Sequence, residues 1–444
     1  MTRIKAELAR TFRSLRLRNY RLYFFGQVVS VSGTWMQSVA QGWLVLRITE
    51  SPANHRTGSL VDLGVATSLQ FLPLLVLGAY GGLLADRLPK RRTLVLTQAA
   101  SGSLALALGA LTVSRSVRLW EVYLLAAGLG LVTMVDNPTR QSFVQEMVGP
   151  ELLPNAVSLN SVVMNGARVV GPAVAGVLID TVGLAACFFV NAASYLAVIV
   201  GLCLMRQGEL RPSGQLSRQR GQLRAGMAYV WSQRDLREPL LMMVVIGTLA
   251  YNFQVTLPAL AKASFHGGAG TYATMLAVMS LGAVAGGLAV ASRGRPGRRT
   301  LRRAAAAFGT LILAVSVAPS LPVALAVLPL MGSASIVFIA MANTTLQLRA
   351  DPSMRGRVMA LYAIAFLGTT PIGSPLIGAV GELAGPRVAI AIGGLAALGA
   401  AAFLGGWRRD RRLGGRRAAP QRAAVELAGA DLAGQGAGVA TSGA

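Results

Sequence analysis

The sequence predicts an all-α polytopic membrane protein with 12 transmembrane helices in two six-helix halves. Three observations carry this. Only 13% of the 444 residues are charged, about half the share of a soluble domain, while 53% are hydrophobic and the mean hydropathy is +0.55. Apolar runs of about 20 residues, the length that crosses a bilayer, recur along the chain. The 42 Lys and Arg, set against 17 Asp and Glu, gather on one side of those runs. A disordered basic tail is excluded, because such segments are poor in apolar residues. A disulfide-rich scaffold is excluded too: there are two cysteines, Cys187 and Cys203, which read as small packing residues.

The first 19 residues are not a cleaved signal, because the apolar run that follows is too long for one. In them Ile4, Leu8, Phe12 and Leu15 recur at helical spacing among Arg3, Lys5, Arg10, Arg13 and Arg16. This fits either a basic amphipathic helix on the inner membrane surface or a frayed terminus. The first half spans 20–205, with apolar runs at 20–46, 60–84, 93–114, 119–137, 156–180 and 184–205. Residues 206–239 form a cytoplasmic linker, where Leu223, Met227, Val230 and Trp231 make one apolar helix face. The second half spans 240–406, with runs at 240–263, 271–292, 300–318, 322–346, 358–381 and 386–406. Residues 407–444 are Ala/Gly-rich without a periodic apolar face and read as a disordered tail.

Charge sets the orientation. Arg47, Arg56, Arg115, Arg118, Lys262 and Arg387 fall in outer loops, and Arg168 falls inside a span. The remaining basic residues lie on the inner side, which places both termini in the cytoplasm of a plasma-membrane protein. Clusters such as Lys90-Arg91-Arg92 punctuate the spans, so they suit anionic lipid rather than nucleic acid.

The halves echo each other. Asn137-Pro138-Thr139-Arg140-Gln141 ends span four as Asn343-Thr344-Thr345-Leu346-Gln347 ends span ten, and Gly171-Pro172 is matched by Ser374-Pro375. Between spans two and three stands Gly82-Leu83-Leu84-Ala85-Asp86-Arg87-Leu88-Pro89-Lys90-Arg91-Arg92. This resembles the G-x-x-x-D-R-x-G-R-K/R signature of the major facilitator superfamily, with Pro89 where the family has Gly. Gly82 lets backbones approach. Asp86 can meet the positive end of a neighbouring helix, expected to be span eleven, and Arg87, Lys90 and Arg91 can pair with carboxylates or lipid. Such contacts latch the inner side in one state and break in the other. The runs Asp136 to Ser142 (with Pro138 and Arg140 forming an inner-gate motif), Asn155 to Asn160 and Ala167 to Gly176 resemble the branch holding the enterobactin exporter and macrolide-efflux proteins. That resemblance implies export by proton antiport. The span-four Arg of many drug/proton antiporters is absent, Gly128-Leu129-Gly130 standing there.

Candidate site residues follow. Arg168 lies mid-span, where a charge is costly unless it faces a cavity or a partner. It is read either as a cavity residue for an anionic or oxygen-rich substrate or a coupling relay, or as bonded to helix carbonyls or Asp136. In span one Gln27, Ser30, Thr34, Gln37 and Gln41 share a helix face that lines either the cavity or a polar seam. Gln70, Tyr251, Asn252 and Gln254 join the cavity set. Gly171, Pro172 and Gly176 fit either helix packing or a role in directionality. Asp62, at the outer start of an apolar span, is the candidate for proton coupling. Glu121, Asp180 and Glu382 read as ordinary loop-end charges.

No P-loop, metal-ligand cluster or nucleophile–base set is present, and His55 and His266 stand apart in outer loops. The expectation is therefore no cofactor, no metal and no enzymatic reaction. The chain reads as a monomeric secondary active exporter of a drug, siderophore or other metabolite, exchanging protons by alternating access. The alternatives are a non-transporting or importing relative, or a lipid-handling membrane protein.

Overall fold

The computed structural model describes residues 12–50, 58–211, 222–293 and 297–406. Residues 1–11, the tail from 407 and His55 lie outside these. Span one is the helix Arg18–Ile48, whose 31 residues reach about 46 Å at 1.5 Å each. Spans two, three and six are Leu60–Arg87, Lys90–Val113 and Leu184–Cys203. Spans four and five follow each other as two helical arms within Leu119–Thr181, divided at Gly149, where the backbone leaves the helical region. Gly149 has φ 72° and ψ 173°, a backbone open cheaply only to glycine, and Pro150 follows it, suited to open the next helical arm. The connection expected at 138–155 is thus helical on both sides of Gly149. Its polar residues end the apolar run without ending the helix.

In the second half, spans eight, nine, ten and twelve are Ala269–Arg293, Arg298–Ser316, Leu321–Arg349 and Pro386–Gly406. Among the described residues eight helical stretches are long and apolar enough to cross a membrane, the kinked pair counting as one. Span twelve has a shorter apolar run. Span one carries its polar stripe, and span nine opens on Arg298, Arg299, Arg302 and Arg303. The architecture is consistent with twelve spans.

Two spans are broken where continuous helices were expected. Span seven runs Arg234–Leu249, stops at Ala250 to Asn252, resumes as Phe253–Ala259 and ends in a π-turn, Leu260–Ser264. Asn252 makes the break good on both sides. Its Nδ2 donates to the Thr248 carbonyl (2.7 Å), and its own carbonyl accepts from Val255 and Thr256 (3.0 and 2.9 Å). Span eleven runs Arg355–Leu367 and Thr370–Ala384, with Gly368 and Thr369 between. Pro371 has no N–H to continue the first segment and instead opens the second. Irregular backbone at membrane depth survives only inside protein or beside water.

One face of the molecule gathers the chain's start and the linker. Ser14 donates to Asn155 (2.6 Å), and Asn19 and Arg206 exchange two bonds (2.9 and 3.0 Å). This is the linker face, and the other is the far face. The linker helix Gln222–Ser232 docks on the start of span eleven through buried Val230, Gly226 beside Arg357, and Tyr229, which donates to Asp351 at 2.8 Å. Met227 and Trp231 stay exposed, so the apolar face expected there divides between protein and surroundings.

The halves meet on the far face. Span two packs on the Thr370–Ala384 segment of span eleven: a side chain on Gly64 would strike the Ser374 carbonyl, and one on Gly378 the Leu60 carbonyl. Span five packs on span eight, with Gly176 next to Ala273.

Candidate functional site

A cavity of ≈ 160 Å³ lies where the breaks of spans seven and eleven meet spans one, two, five, eight and ten. The broken spans supply Tyr251, Asn252, Phe253, Gln254, Phe366 and Ser374. Span five supplies Arg168 and span one Trp35. A smaller void beside it shares Thr67 and Gln254 and adds Gln41 and Gln70. Of the expected cavity residues, Arg168, Gln41, Gln70, Tyr251, Asn252 and Gln254 are thus brought together.

Arg168 is half-buried, and its guanidinium stacks on Trp35 with 5.1 Å to the ring centroid. Among the described residues no carboxylate pairs with it. On its own helix face, Asn165 is half-buried one turn and Ser161 exposed two turns nearer the linker face. Tyr251 donates to the Ser335 carbonyl (2.9 Å) and packs against Phe253, Phe308 and Phe366 at 5.1–5.8 Å between centroids. Asn252 also accepts from Ser374 (3.0 Å), joining the two breaks.

The span-one stripe divides. Gln41 reaches the cavity set, but Gln37 is buried and accepts from Asn191 of span six (2.6 Å). Ser30 is buried as well, and Thr34 donates to the Ser30 carbonyl and stands 3.4 Å from the Tyr195 hydroxyl. Gln27 is buried and accepts from Arg140 (2.6 Å). These four belong to a seam inside the first half, because helix rotation carries one face past several neighbours along 31 residues.

Asp136 does not reach Arg168. It pairs with Arg140 one turn on and accepts from Thr97 (2.7 Å) and Gln98 (2.9 Å). Pro138 lies between them in an unbroken stretch of helix. A buried carboxylate with three donors around it is a satisfied group.

The loop-two signature ends span two. Gly82 is buried, Asp86 half-buried and Arg87 exposed in the last helical turn. Lys90 pairs with Glu146, and Arg91 donates to the Leu202 and Cys203 carbonyls that end span six (2.6 and 3.1 Å). These anchors lie within the first half. Span eleven meets span two mainly through its far segment, not through the linker-side end expected to face Asp86. Gly171 and Pro172 are buried, and a side chain on Gly171 would strike Ser32 and Trp35 of span one.

Asp62 sits in the first turn of span two and accepts from Tyr123 at 2.8 Å. Glu382, read from sequence as an ordinary loop end, instead crosses the halves. It accepts from the Ser59 hydroxyl (2.9 Å) and the Val61 N–H (3.2 Å) at the N-terminus of span two. Lys262 pairs with Glu50 (2.8 Å) on the same face. Sequence reasoning also passed over Trp35, Phe71 and Phe366 as cavity residues. The one available signal was Pro371 three residues after Gly368, which marks the span-eleven break.

Residues 9–412 match the family described as transmembrane secretion effector. The staphyloferrin A transporter of Staphylococcus aureus is 23% identical over 60% of this chain, a match spanning 64% of that protein. The multidrug efflux pump Tap of Mycolicibacterium fortuitum is 24% identical over 82% of this chain and 89% of its own. The enterobactin exporter EntS of Shigella flexneri is 26% identical over 85% and 89%. Among solved structures, a bacterial homologue of the human lysosomal transporter Spinster aligns with TM-score 0.65 and 14% identity, over 87% of this chain and 94% of that one, a likeness of fold alone.

Proposed function

Because the chain belongs to the transmembrane secretion effector family of major facilitator transporters, we propose that it exports a small organic molecule from the cytoplasm by alternating access. The observation that carries this is the cavity between the halves, walled by two broken helices and lined by residues of both halves. The excess of Lys and Arg on the linker face makes that face cytoplasmic, with both termini inside, so the conformation described is open inward and loads from the cell. The division into residues 20–205 and 240–406 supplies the two bodies that rock. Anionic headgroups meet the basic linker face, and one chain holds the whole cavity, so a monomer suffices.

Export against a gradient needs a driving ion, and protons are the coupling we propose. Asp62 is the carboxylate we assign to the coupling: it stands in the first turn of span two, beside the far-face contact of spans two and eleven, and accepts from Tyr123. Asp136 and Arg140 hold the inner end of the first half rigid. Gly82, Asp86 and Arg87 act in the opposite state, when the linker face closes and span eleven approaches. Gly171, Pro172 and Gly176 keep span five close to spans one and eight through the rocking.

Everted membrane vesicles energised with a proton gradient test the reading. Expression of the chain should produce gradient-dependent accumulation of at least one compound in a panel of drugs and siderophores, abolished by an uncoupler. Accumulation in right-side-out vesicles instead would identify an importer. An Asp62→Asn variant that keeps uncoupler-sensitive accumulation would remove Asp62 from the coupling.

A further inference from the structure

We infer that the cavity selects a carboxylate carried on an aromatic ring and excludes organic cations; this rests on the cavity being the transport site. Charge comes first. Among the described residues, Arg168 is the one charged residue lining the cavity, with no Asp, Glu or second basic residue joining it there. Lys90 and Arg140, also partly buried in the first half, each have a carboxylate, Glu146 and Asp136, and Arg91 has the Leu202 and Cys203 carbonyls. Arg168 has Trp35 instead. Stacking occupies the face of a guanidinium and leaves its five in-plane N–H donors unused. A charge in such a place is compensated by a partner or not at all, and among the described residues no partner is supplied by the chain. A bound anion would complete it, and a planar carboxylate matches the guanidinium fork in two parallel hydrogen bonds.

The remaining polar groups narrow the choice. The Tyr251 hydroxyl is taken by the Ser335 carbonyl, and the Asn252 amide is taken by Thr248 and Ser374. Gln254 has no hydrogen-bond partner among the described residues, and its amide adds a donor to the same cavity. The walls are aromatic: Trp35, Phe71, Tyr251, Phe253 and Phe366. Rings in such walls favour a flat aromatic body with edge-to-face contacts. A cavity of ≈ 160 Å³ holds one or two fused rings rather than a macrocycle. With no acid in the walls, an ammonium would meet Arg168 with nothing to offset the repulsion.

The full chain in lipid nanodiscs, titrated calorimetrically with 2-naphthoate, 2-naphthamide and 2-naphthylmethylammonium, separates charge from shape. The expected result is naphthoate binding about tenfold or more tighter than the amide, with no measurable binding of the ammonium. Arg168→Gln should bring naphthoate down to the level of the amide. Arg168→Lys should keep the preference at reduced strength, since it retains the charge and loses the fork. Trp35→Leu should weaken both naphthoate and amide while leaving their ratio above one. Amide or ammonium binding as tightly as naphthoate to the unaltered chain overturns the proposal even if Arg168→Gln does not fold. So does a well-folded Arg168→Gln that keeps the preference. Selective, Arg168-dependent binding without proton-driven movement in vesicles would sink the export reading and leave the anion site standing.

Discussion

The far face and the linker face of the molecule are held together in opposite ways. On the far face, polar contacts cross between the halves: Ser59 and the Val61 N–H to Glu382, Ser68 to the Pro371 carbonyl at 2.7 Å, Lys262 to Glu50. On the linker face, five ion pairs among the described residues each join positions of one half. Lys90–Glu146 and Arg140–Asp136 belong to the first; Arg298–Asp235, Arg349–Asp235 and Arg234–Glu238 belong to the second. The lesson is mechanical. A face that must open needs each half stapled on its own, because its helix ends stand in water without the other half. A face that is shut can borrow partners across the gap, and those borrowed contacts hold the state.

Glu382 shows how such a contact works. Its carboxylate accepts an N–H in the first turn of span two, where the helix macrodipole is positive. Asp86, at the linker-side end of the same span, was expected to do the equivalent toward span eleven. The two acids sit at opposite ends of one helix pair, so each is placed to serve one state.

The largest effect should come from preventing far-face closure. Gly64→Val would push a side chain into the Ser374 backbone, and efflux in energised vesicles should fall by more than about tenfold while the chain still inserts. Normal efflux in that variant would break the comparison outright. Next, Asp136→Asn leaves Arg140 without its carboxylate. Stability should drop by about 3 kcal/mol, read as a lowered midpoint of thermal unfolding in detergent, with Asp136→Asn/Arg140→Gln recovering part of it. Unfolding at the unaltered temperature would show that the linker-face staple is idle. Glu382→Gln removes a helix-end charge worth about 0.3–1 kcal/mol. It should shift the population two- to fivefold away from the inward-open state, measured as slower thiol labelling of a Ser161→Cys reporter. Lys90→Gln, a staple within one half, should lower the unfolding midpoint by leaving Glu146 without its cation, and should leave that labelling rate alone. A labelling change as large as that of Glu382→Gln would erase the distinction between the faces.

Much of the fold was legible because a bilayer writes its demands locally. The apolar runs match the helices, and the low charge content and basic gaps follow from the same constraint. Errors fall where a local rule met a distant partner. Residues 138–155 are helical on both sides of Gly149, because Phe143, Val144, Met147 and Val148 pack into the first half and Pro150 opens the second arm. Span seven breaks at Tyr251 and Asn252 because Asn252 finds Thr248 behind it and Ser374 across from it. Nothing in 240–263 announces that. The stripe of span one was correctly placed on one helix face. Which of its members meet the cavity depends on where spans two, four, six and seven pass.

The sequence by itself determined that this chain lives in a membrane, roughly where it crosses, and that Arg168 is a charge in a costly place. The tertiary structure alone decided who stands beside each charge. Asp136 was free, by sequence, to serve Arg168, and it serves Arg140. Arg168 received Trp35, 133 positions away in the chain, and a cavity in place of a carboxylate. The reason is physical: hydropathy and charge exclusion act on each segment separately, whereas the partner of a buried charge is chosen by the packing of helices far apart in the chain.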